Sequence, residues 1–95
     1  MPYIHKRSRE HLDKPLRAVS KAVFELVEHR SPTGTLNYCI TKLLLSTNPQ
    51  SYDDYNSLIG VLECCKLEFY RRAVAAYEDE KIEENGDVYP ERAFQ

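Results

Sequence analysis

Apolar residues return at three- and four-residue steps along most of this chain, and they predict helices. Leu16, Val19, Val23, Leu26 and Val27 mark one face of a first helix over 13–30. Asp13 is a good N-cap for it, and Pro15 is tolerated in a first turn. The Ser-Pro-Thr-Gly stretch at 31–34 reads as a loop. Leu36, Ile40, Leu43 and Leu44 then form the apolar face of a second helix over 35–47, with Asn37, Thr41 and Lys42 on its polar side. Asn48-Pro49 breaks the pattern. The longest helix is predicted over 52–85, with a possible kink at Gly60. Ser51 can cap it, and Asp54 three residues on makes an acidic variant of the capping box. Gly86 is its stop signal. Leu58, Leu62, Cys65, Phe69, Ala73 and Ala76 run along it as one stripe. Residues 1–12 read as an N-terminal arm, and 86–95 as a tail containing Pro90.

No segment alternates with period two for long enough to make a strand, so the predicted class is all-α. Ninety-five residues allow one helical domain, 1–95, with a small core. Its expected form is two shorter helices packed on the long C-terminal one. A helix of thirty-odd residues is roughly 50 Å long, more than two short helices can cover. Val61, Cys64 and Cys65 flank its stripe, and Phe24 lies off the stripe of the first helix. These surplus apolar positions predict a helical-bundle homo-oligomer.

At 42% hydrophobic and 29% charged, the composition is that of a globular protein rather than a disordered one. No apolar run approaches the roughly 20 residues that span a bilayer, so no membrane partner is expected. The MPYIHKRSRE start has no apolar core behind it and does not read as a secretory signal, which predicts a cytoplasmic protein. Cys39, Cys64 and Cys65 are an odd set with an adjacent pair. They read as buried or semi-buried free thiols, with no metal and no cofactor. Charge is segregated: basic residues crowd 6–21 and acids crowd 78–91. An isoelectric point near 5.9 argues against a general binder of double-stranded nucleic acid.

A second, polar row accompanies the long stripe: Asn56, Glu63, Lys66, Tyr70 and Tyr77. Glu63, Lys66 and Tyr70 project within about 60° of one another on a helix. Two uses fit them. One is a buried ion-pair network that fixes helix pairing. The other is a pocket in which Lys66 holds a phosphate, Tyr70 stacks or hydrogen-bonds, and Asn37 and Glu63 read a base or ribose edge. Arg71 and Arg72 can add phosphate contacts, and Lys6, Arg7 and Arg9 can form a lid.

The segments LNYCITKLL at 36–44, GVLECCKLEFYRR at 60–72 and YEDEKIEENGDVY at 77–89 resemble a family of small uncharacterised proteins of bacteriophages and bacterial genomes. By analogy of size, tyrosine content and cations, the chain also looks like the viral sponges that sequester nucleotide immune signals without cleaving them. The resulting expectation is a non-catalytic, phage-encoded binder of a nucleotide or cyclic nucleotide, acting in a host cytoplasm. Two alternatives stand beside it. One is a magnesium-dependent hydrolase resembling the all-α nucleoside triphosphate pyrophosphatases, using Glu25, Glu28, Glu63 and Glu68. The other is an inhibitor that binds a host protein through the acidic tail.

Overall fold

The computed structural model describes residues 1–27 and 30–90 of the chain. Among them there are helices and no strand. Helix α1 is Lys6–Val27 and helix α2 is Thr33–Ser46. Helix α3, Tyr52–Phe69, continues through a π-helical turn, Tyr70–Val74, into helix α4, Ala75–Asn85. The architecture is therefore all-α, with three helical runs of which the last is long.

The expected arm at 1–12 is corrected: helix begins at Lys6, seven residues before Asp13. The His5 ring is what caps it. Its Nδ1 accepts the Arg7 amide at 3.3 Å, and its carbonyl accepts the Arg9 amide at 3.1 Å. A backbone amide of the first turn is thereby satisfied by a residue outside the usual capping set. Pro15 consequently sits inside the helix, not in its first turn. Its ring removes the amide that His11 carbonyl would otherwise receive. The predicted end near residue 30 falls partly outside the described residues; Arg30 amide bonds to Val27 carbonyl at 2.8 Å.

At the end of α2 two hydroxyls satisfy carbonyls that helix geometry leaves over. Ser46 Oγ donates to Leu43 carbonyl at 2.6 Å, and Thr47 Oγ1 to Leu44 carbonyl at 2.7 Å. Asn48 then turns the chain at φ 57°, a left-handed conformation its short side chain tolerates. The capping box of α3 is formed. Asp54 amide donates to Ser51 Oγ at 3.1 Å, and Asp54 Oδ2 accepts the Ser51 and Gln50 amides at 3.2 and 2.9 Å. Those amide bonds, Gln50's foremost, hold the Asp54 carboxyl below its ordinary pKa. Gly60 does not interrupt α3. Gly86 does end α4, at φ 86° and ψ 150°, backbone that a side chain makes costly.

Packing among the described residues divides into two compact units, Pro2–Leu58 and 59–90 together with Met1. In the first unit α1 lies against α2. Among the described residues only Val23 and Val27 are buried, at 4% and 7% exposure. Leu16, Val19 and Leu26, of the same predicted face, are open to solvent, as are Leu36, Ile40 and Leu43 of α2. A groove of about 420 Å³ runs between the two helices, with Leu12, Leu16 and Val19 on one wall and Tyr38, Lys42 and Leu43 on the other.

Candidate functional site

The long helical run carries the polar row, and a helix turns about 100° per residue. Residues three or four apart therefore share a face, and Glu63 and Lys66 do so with Lys66 Nζ 2.9 Å from Glu63 Oε1. The pairing is the expected one. The burial is not: both side chains are exposed, at 54% and 66%. The buried network is corrected to a solvent-facing ion pair, because no described residue packs over this face to bury it. Its worth falls accordingly. Glu63→Ala is expected to cost less than about 1 kcal/mol of unfolding free energy in a urea melt. A loss near 3 kcal/mol would mean the pair is covered in solution.

Tyr70 follows on the same face, and its setting is the least ordinary feature of the molecule. Tyr70 Oη donates to Glu78 Oε1 at 2.7 Å across eight residues. In an unbroken α-helix such positions sit about 80° apart. The π-turn changes this. Ala75 amide bonds to Tyr70 carbonyl, five residues back instead of four, which sets one extra residue into the helix. That takes up about 100° of rotation and brings Glu78 beneath the phenol. The hydrogen bond to Glu78, then the carboxylate's own charge, raise the Tyr70 pKa above its ordinary value. Past α4 the chain turns at Gly86, and a hollow of about 310 Å³ lies among Glu78, Lys81, Ile82, Asn85, Val88 and Tyr89. Lys81 Nζ stands 5.4 Å from the Tyr77 ring centroid and 3.0 Å from Glu84 Oε2.

The remaining predicted residues do not share this face. Arg71 turns away from Tyr70 and pairs with Glu68 at 2.8 Å, and Arg72 projects a further step round. Asn37 accepts from Thr41 Oγ1 at 3.4 Å within α2, in the other compact unit. Arg9 Nε donates to Ile4 carbonyl at 2.9 Å, tying the chain ahead of α1 to its first turn. Lys6 and Arg7 stand in that same turn, exposed.

Of the carboxylates in the hydrolase alternative, Glu63 and Glu68 each engage a cation of their own helix, and Glu25 lies 4.0 Å from Lys21. Glu28 lies outside the described residues. Among the described residues no three His, Cys, Asp or Glu side chains gather as a metal site. Cys39 is a half-buried free thiol, but Cys64 and Cys65 are exposed, contrary to the expectation for them. No helix among the described residues is long and apolar enough to cross a membrane. Glu78, which fixes Tyr70, was absent from the predicted site. Its eight-residue separation from Tyr70 fits no α-helical spacing.

No curated protein and no solved structure matches the chain. The match to a family description extends over residues 1–88, and the chain belongs to that family, the Domain of unknown function (DUF6899).

Proposed function

We propose that the chain binds a small anionic ligand, a nucleotide or cyclic nucleotide, and releases it chemically unchanged. One observation carries this reading: an exposed cation stands one helical turn from a tyrosine whose ring is pinned through its hydroxyl. A flat aromatic face held in place can stack a base at little entropic cost, and a lysine beside it can meet a phosphate. Glu63 keeps Lys66 as a charge-neutral pair until an anion competes for it. The reading rests on Lys66 and Tyr70; Arg72 projects from another side of the helix, and Lys6, Arg7, Arg9 and Asn37 belong to the other compact unit. The protein works as a homo-oligomer. Its place is the cytoplasm of a bacterial host, where a phage-encoded sponge would remove an immune signal.

The test incubates the chain with candidate nucleotides and magnesium, removes free ligand, heat-denatures the protein and chromatographs the supernatant. Intact nucleotide is expected, retained equally in chelator. Lys66→Ala should weaken binding by about 1.5–3 kcal/mol, the loss of one charge-assisted hydrogen bond. Tyr70→Ala should weaken it by a similar amount, the loss of one stacked base. Recovery of monophosphate and pyrophosphate would replace this reading with the hydrolase. No retained nucleotide of any kind would replace it with the protein-binding inhibitor.

A further inference from the structure

Helix α2 carries apolar side chains beyond its predicted face, beside the polar strip of Asn37 and Thr41. Leu36, Ile40 and Leu43 share one face, while Tyr38 and Leu45 point the opposite way. Lys42 is its single charged residue. These apolar side chains are bare: Leu43 is 61% exposed, Tyr38 65% and Leu45 58%. The α1 wall of the groove beside them is equally open, with Leu12, Leu16 and Val19 at 44%, 54% and 46%. Two buried valines are, among the described residues, a small core for ordering both helices.

We infer that a second copy of the chain covers this apolar surface, in a dimer whose interface is the α1–α2 groove. This deepens the oligomeric part of the reading above and is independent of its ligand. The area argues for it. The five exposed apolar side chains at the groove together with Leu45 present on the order of 700 Å² per copy, beyond the few hundred Å² of apolar patch usual on a monomer. A standard stable interface takes about 800 Å² from each partner, and Pro15, Cys39 and the Lys42 stem supply the remainder. The groove wall carries one cation and no anion. Lys42 can lay its methylenes on the apolar surface and keep its ammonium at the rim, so two copies can meet without burying a charge. Small ligands favour enclosed cavities, whereas Leu45, two turns along α2 from Tyr38 on the same face, adds open apolar surface beyond this groove.

Sedimentation of the full chain from 1 to 100 µM tests the proposal, and a dimer is expected. Leu43→Glu, a mild change on a monomer's surface, should weaken dimerisation by at least about 30-fold, since a two-fold interface feels it twice. Leu67→Glu, at a similarly exposed site on α3, should leave it unchanged. An oligomer that Leu67→Glu dissociates and Leu43→Glu does not would overturn the groove interface while leaving the oligomer standing. A monomer throughout, including one whose groove takes up an apolar dye, would overturn both. Should Leu43→Glu fail to fold, Cys39 decides the matter in a chain carrying Cys64→Ser and Cys65→Ser. Its labelling by a bulky maleimide should slow as protein concentration rises; a constant rate refutes the interface.

Discussion

Val23→Asp is expected to unfold the α1–α2 unit. Val23 is the most buried side chain among the described residues, at 4% exposure, and Val27 is the only other below a tenth. A carboxylate placed there loses its water, and the cost of an unpaired buried charge is several kcal/mol. Val23→Ala isolates the packing share of that loss. It removes two methyl groups and leaves a small void, an expected cost of about 1.5–3 kcal/mol. Urea melts followed by circular dichroism measure both. A Val23→Asp chain within about 1 kcal/mol of the parent would show that the contact between α1 and α2 is dispensable.

Deleting Ala73 is expected to leave both the helix content and the Tyr70–Glu78 bond intact. The π-turn holds one residue more than an α-turn, so the deletion lets an ordinary helix close with Glu78 seven positions from Tyr70, about 20° from it around the axis. Ultraviolet titration reads this directly. In the parent, one of the seven tyrosines should ionise later than the rest, because Glu78 raises the Tyr70 pKa. A folded-state pKa above the unfolded value means that the neutral phenol stabilises the fold. That contribution is complete below the ordinary phenol value of about 10 and is lost as pH rises through the higher, folded value. In the deletion variant the late tyrosine should stay late, whereas in Glu78→Ala it should join the others. Its loss on deletion would show that the π-turn does not set the contact, and its persistence in Glu78→Ala would show that Glu78 is not the cause.

What could be read from residues alone is what is local. The capping box at Ser51 and Asp54 closes within four residues, and Gly86 ends α4 because almost no other residue holds its backbone angles. The pairing of Glu63 with Lys66 follows from their spacing. Its exposure could not, since burial depends on what distant chain lies over it. The start of α1 was misplaced because Asp13 and Pro15 imitate a helix start, while a histidine did the capping. The π-turn left no local mark: Tyr70–Val74 contains neither glycine nor proline. It accompanies a bond between residues eight apart, and so part of the candidate site, Glu78, was invisible to helical spacing.

The π-turn also leaves a trace that comparison of relatives can follow. A single residue gained inside a long helix and absorbed in a π-turn leaves the downstream side chains on their faces, each one position later in the sequence. A lineage that lacked it could keep an acid beneath the tyrosine only by carrying that acid seven positions on, not eight. Chain length between 70 and 78 and the position of the acid should therefore change together through the family's history, if the contact is what selection has kept. If the two vary independently, the extra residue is an accident of ancestry, and the tyrosine's partner is incidental to it.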